Sequence, residues 1–143
     1  MVEWCVFFLI ADGLPGGQGT ISLLYCTVSG AYAVTHETLD QISLAQHRLI
    51  AKKLQENPEP IIALARRNLR RYIARRPAAA TYLWREWLAL LEQNSIDHII
   101  AVMTAKTQKA TELRQASPFA GALSQEEIAR TIQREKEGAR TRC

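Results

Sequence analysis

Pro60-Ile61-Ile62-Ala63-Leu64-Ala65-Arg66-Arg67-Asn68-Leu69-Arg70-Arg71-Tyr72-Ile73-Ala74-Arg75-Arg76-Pro77 is the stretch whose reading decides the fold. Ile61, Leu64, Ala65, Asn68, Leu69 and Tyr72 recur every three or four residues, the period of a helix with one apolar face. Pro60 suits the first turn, where its missing N–H costs nothing. Arg75-Arg76-Pro77 closes the segment, with cations at the negative end of the helix dipole.

The same stretch holds Arg66, Arg67, Arg70, Arg71, Arg75 and Arg76, with no acid among them. Helical spacing places Arg66/Arg70 and Arg67/Arg71 as i,i+4 pairs on an outward ridge. Like charges so placed repel by some tenths of a kcal/mol per pair, and a bound anion relieves this. Guanidinium forks match carboxylate and phosphate equally well. These six arginines are therefore the candidate binding surface, set against the plainer reading of a solubilising face. The expected partner is an acidic protein, with nucleic acid bound through its phosphates as the alternative.

Outward from this helix, the period continues in both directions. Leu39, Ile42, Leu49, Ile50 and Leu54 predict a helix over 38–56, stopped at Asn57-Pro58-Glu59-Pro60. Trp84, Trp87, Leu88 and Leu91 share a face of a third helix over 79–93. Replacing either tryptophan by alanine is expected to cost about 3–5 kcal/mol if it is buried. Ser95 reads as the N-cap of a short helix through Ile96, Ile99, Ile100 and Met103. Thr104–Thr107 leaves two separate helices and one bent helix equally open. Ser117-Pro118-Phe119-Ala120-Gly121 reads as a turn before a capping box, Ser124 with Glu127, flanked by Leu123 and Ile128 as a hydrophobic staple. The last helix is expected over Gln125–Glu137, stopped by Gly138. The fold class is thus all-α: a bundle of five or six short helices from residue 38 on.

Residues 1–37 read differently. Trp4–Ile10 and Ile21–Val28 are rich in β-branched and aromatic residues around Gly13-Leu14-Pro15-Gly16-Gly17-Gln18-Gly19. Two readings stand: a loose hairpin-like or poorly structured extension, or leader sequence ahead of the domain start, not part of the native protein. The domain itself is expected over 38–138, and 139–143 as a frayed tail. Charge divides along the same boundary. Residues 1–40 carry four acids and no Lys or Arg, whereas 41–143 carry all 18 cations against ten acids, within a formal net charge of +4. Such a split points to an acidic or polyanionic partner for the second part.

Catalytic and metal chemistry find little footing. His36, His47 and His98 are isolated from carboxylates and cysteines at metal or triad spacing, and His47 and His98 read as surface or capping positions. The glycine-rich segment lacks a Gly-Lys-Ser/Thr ending, and no serine sits in a nucleophile elbow. No catalytic residue, metal or cofactor is expected. Cys5, Cys26 and Cys143 form no CxxC and read as reduced thiols, hence a cytoplasmic location. Val6–Ala11 is apolar but has no basic flank, and is too short to span a bilayer. Ser124-Gln125-Glu126-Glu127-Ile128-Ala129 looks like the opening of a helix-turn-helix. That motif needs a recognition helix after it, which the five residues beyond Gly138 do not supply. An earlier pair with the arginine-bearing helix as the DNA reader stays open.

Ala65-Arg66-Arg67-Asn68-Leu69, Trp87, and Leu113-Arg114-Gln115-Ala116-Ser117-Pro118-Phe119-Ala120-Gly121 with Leu123 and Glu126-Glu127 resemble a group of short uncharacterised bacterial helical proteins. These share an Arg-Asn-Leu helix and an LRQ-S-PFAG-L tail, and the resemblance covers about residues 45–137. It implies a bacterial cytoplasmic partner protein similar in style to the small partner-binding components of toxin–antitoxin pairs, and the expected function is a non-enzymatic interaction protein, an antitoxin or a regulator of its own promoter. It supplies no set of functional residues.

Overall fold

The computed structural model describes residues 35–75 and 82–142, and all their regular structure is helical. The expected hairpin at Trp4–Val28, the three cysteines, and Arg76-Pro77 lie outside the described residues. Six helices follow in order: α1 (His36–Glu56), α2 (Pro58–Arg75), α3 (Tyr82–Gln93), α4 (Ile96–Thr104), α5 (Gln108–Gln115) and α6 (Gln125–Arg142). None is long and apolar enough to cross a membrane.

Local chemistry explains several of these boundaries. Thr35 caps α1 in an extended conformation and its hydroxyl accepts from the Thr38 amide at 3.2 Å, so the helix starts two residues before the expected point. Asn57, held out of the helical region by the proline after it, ends α1 with φ −152° and ψ 87° and donates its amide to Lys53 O. α2 begins at Pro58 rather than at Pro60. Both prolines fit, because the first four amides of any helix have no intrahelical partner.

Thr104–Thr107 resolves into a break between two helices. The Arg114 guanidinium donates to Met103 O at 3.2 Å and to Ala105 O at 2.7 Å, taking carbonyls at the end of α4. Thr107 then caps α5 through its hydroxyl on the Ala110 amide. A side chain and a cap thus replace the bonds that one bent helix would make.

The capping box closes as the sequence predicts. The Ser124 amide donates to Glu127 Oε2 at 2.7 Å and the Glu127 amide to Ser124 Oγ at 3.2 Å, while Leu123 and Ile128 are buried. Lys53 of α1 reaches the same carboxylate at 2.8 Å and the Ala122 carbonyl at 3.1 Å, fastening the start of α6 to α1. The Lys53 hydrogen bond, followed by the Ser124 amide, holds the Glu127 carboxyl below its ordinary value. Ser124→Ala is expected to lower the unfolding free energy by about 1 kcal/mol, read as a lower urea midpoint with an unchanged slope. Gly121, at φ +88°, supplies the left-handed residue that turns the chain toward this cap.

Gly138 does not stop α6, which continues to Arg142. A glycine ends a helix where it takes a left-handed conformation. Inside one it only weakens it, by roughly 0.5–1 kcal/mol relative to alanine, and here the Thr141 hydroxyl bonds back to Gly138 O at 3.0 Å.

α1 is the central element and packs against α2, α4, α5 and α6, while α3 lies on α2 and α5. The core gathers Ile50 and Leu54 of α1, Ala65 and Leu69 of α2, Trp87 and Leu91 of α3, Ile99 and Met103 of α4, and Leu113 of α5. Phe119 and Leu123 of the intervening turn and Ile128 of α6 complete it. Only one of the two α3 tryptophans is central. Trp87 is fully buried, whereas Trp84 is half-buried and tilts against Tyr72 with ring centres 5.5 Å apart.

Candidate functional site

The arginines of α2 divide between two jobs. Ile62, Ala65, Asn68, Leu69 and Tyr72 are buried and fix the inward face. At 3.6 residues per turn, Arg67, Arg70 and Arg71 fall on the opposite side, and all three are exposed. Arg75 is exposed in the last turn, and Arg76 lies outside the described residues.

Arg66 does not belong to the outward ridge. Its side chain is half-buried and turns toward α3, where Nη2 donates to Leu91 O at 2.7 Å. Leu91 is in the last turn of α3, whose carbonyls have no intrahelical partner; the cation meets both this need and the negative end of the helix dipole. The expected pair Arg66/Arg70 is therefore split between two surfaces, and the pair Arg67/Arg71 stands.

No ion pair among the described residues takes in Arg67, Arg70 or Arg71. The pairs formed include Lys53–Glu127, Lys109–Glu86 at 2.6 Å, and Arg130–Glu126 within α6. The outward face of α2 otherwise presents Ala63 and Ala74 beside the arginines, and Glu59 and Pro60 in its first turn. α6 differs: its cations alternate with Glu126, Glu127, Glu135 and Glu137 along one helix.

Asn68 breaks the apolar pattern of the inward face and has two partners to justify it. It is buried, and its amide donates to Pro118 O at 2.8 Å and Ala120 O at 3.0 Å. The turn after α5 is thereby pinned to the inner side of the same helix that carries the arginines.

His47 is no surface residue. It is 1% exposed, with Nδ1 donating to Ser43 O at 2.7 Å, which leaves Nε2 to accept from the Ser117 hydroxyl at 2.9 Å. Its ring also meets Phe119 edge-on, 6.3 Å between centres. Burial pushes its pKa from 6.5 down to about 4; the Ser43 carbonyl opposes this and the nearby Arg114 adds to it. A hydroxyl on a neutral imidazole is the beginning of a nucleophilic pair, but here the imidazole is buried in the core and the bond ties the 117–121 turn to α1. A signal for its burial was present: Ile50, Ala51 and Leu54 follow at three, four and seven residues.

Arg114 was equally hidden from sequence reading. It is 5% exposed, spends its guanidinium on Met103 O, Ala105 O and the Thr111 hydroxyl, and burial lowers its pKa.

Elsewhere, a shallow apolar depression between α3, α4 and α5 is floored by Leu90, Val102 and Leu113. Its rim charges Glu86 and Lys109 are already paired, and Lys109 also sits 4.5 Å above the Tyr82 ring. Among the described residues, no group of three or more His, Cys, Asp or Glu is placed to hold a metal ion.

Comparison of the chain with family models, characterised proteins and solved structures returned no match.

Proposed function

We propose that this protein is a binding protein whose ligand is an anionic partner, engaged by the outward face of α2 through Arg67, Arg70 and Arg71. Arg75 lies at the end of the same helix and extends the surface. The observation that carries this reading is that three exposed arginines share one helical face, and none of the three enters an ion pair with a carboxylate of the described residues. Their mutual repulsion is left for a ligand to relieve. Arg66 is excluded from the set, since its guanidinium serves the end of α3.

Charge reversal tests it. Arg67→Glu with Arg71→Glu takes the formal net charge from +4 to zero. So does Lys52→Glu with Arg134→Glu, at exposed positions on α1 and α6. On an immobilised sulfated polysaccharide, the α2 variant is expected to elute at much lower salt than the α1/α6 variant, with both retaining the wild-type circular dichroism. Equal weakening by the two variants would mean that net charge alone drives retention, and the α2 site would be withdrawn.

A further inference from the structure

We infer that the ligand of the α2 face is the phosphate backbone of a nucleic acid, bound without regard to base sequence; this rests on the anion-binding reading above and names its partner. The argument turns on what the face lacks. Protein interfaces are centred on buried aromatic or large aliphatic anchors, with charges at the rim. Around Arg67, Arg70 and Arg71 the outward side of α2 offers only Ala63 and Ala74, with Glu59 and Pro60 further off at the start of the helix. Tyr82 is the one exposed large apolar side chain among the described residues, at 61%. Its ring lies under Lys109 and its hydroxyl donates to Glu112, so it is engaged with α5. An acidic protein docking on α2 would gain charge contacts at a wet surface and bury almost no apolar area.

A polyanion needs no such anchor. Its affinity comes from counterions released as cations neutralise phosphates. Arg67 to Arg71 spans about 6 Å along the helix axis, so their guanidinium groups reach one short stretch of a phosphate backbone. Arg70 lies between them on the same face, so three guanidinium groups can meet successive phosphates of one strand. The exposed α2 residues are Glu, Pro, Ala and Arg, with no Asn or Gln to read adenine, and the three arginines are committed to phosphates. Phosphate contacts position a protein but carry no sequence information.

The test uses the full chain and two labelled 20-base-pair duplexes of unrelated sequence, followed by fluorescence anisotropy between about 50 and 200 mM salt. Three phosphate contacts predict a log–log slope of about −2.7, hence about a forty-fold loss of affinity across that range. The two duplexes should bind within a few-fold of each other. Arg70→Gln, at an exposed position, should flatten the slope by about 0.9, whereas Arg134→Gln on α6 should leave it unchanged. Poly-glutamate, supplied at equal charge concentration, should displace the duplex poorly.

Displacement by poly-glutamate as effective as by unlabelled duplex would overturn the nucleic-acid assignment and leave the anion-binding reading standing. A slope indifferent to Arg70→Gln, or a preference above tenfold between the two duplexes, would likewise overturn it. Binding to neither duplex nor poly-glutamate would sink both readings.

Discussion

Trp87→Ala is expected to lower the unfolding free energy by about 3–5 kcal/mol, a large share of the 5–15 kcal/mol typical of a domain. Three losses coincide at this position. The indole is fully buried in the core, so its removal opens a cavity. It stands edge-on to Phe119, 5.3 Å between centres and 89° between planes, an aromatic geometry worth about 0.5–1.5 kcal/mol beyond its buried area. Its N–H donates to Leu113 O at 2.7 Å, and truncation leaves a carbonyl near the end of α5 without that donor. Urea denaturation followed by far-ultraviolet circular dichroism measures the loss. Trp84→Ala is the internal comparison: half-buried, it should cost less than half as much. Equal losses at the two positions would refute the placement of Trp87 at the centre.

Stability should also fall on mild acidification, with His47 as the cause. Its folded pKa, about 4, lies below the unfolded value of 6.5. The unfolded chain therefore binds a proton at a pH where the folded chain cannot. The stabilising contribution of the neutral ring is present in full above about pH 6.5 and is lost as pH falls toward 4. A gap of that size corresponds to roughly 3 kcal/mol, most of it gone by pH 4.5. The geometry accounts for the resistance to protonation: Nδ1 already donates to Ser43 O, and a proton on Nε2 would end its role as acceptor for Ser117. Unfolding free energies across pH 7.5 to 4.5 provide the test. His47→Gln should be less stable at neutral pH and show a much flatter profile. Parallel profiles for the two proteins would show that other groups carry the acid sensitivity. The Glu127 carboxyl, held below its ordinary value, acts in the same direction but at lower pH, as its stabilising charge is lost only when the carboxylate protonates.

The binding face and the core contacts lie on opposite sides of α2. Asn68 and Leu69 face the turn and core, while Arg67, Arg70 and Arg71 face outward. Charge changes on the outer side should therefore alter binding without altering the unfolding free energy by more than about 0.5 kcal/mol.

Sequence by itself determined the helical class of the domain and the starting caps of α4 and α6. A helix boundary depends on residues three or four apart, and Ser95, Ser124 and Glu127 carry that information whatever lies across the molecule. It also determined that one face of α2 is cationic, since no acid stands near enough along the chain to neutralise it. Only the tertiary structure decided which arginine serves the protein itself. Arg66 and Arg67 are neighbours of identical chemistry, separated in role because the end of α3 lies beside one and not the other. The same holds for the burial of His47, for Arg114 closing α4, and for Trp87 over Trp84. Each depends on a carbonyl or ring brought from dozens of residues away or from a different helix. Periodicity marks which side of a helix faces inward, but the atoms that meet it there are chosen by the packing of the others.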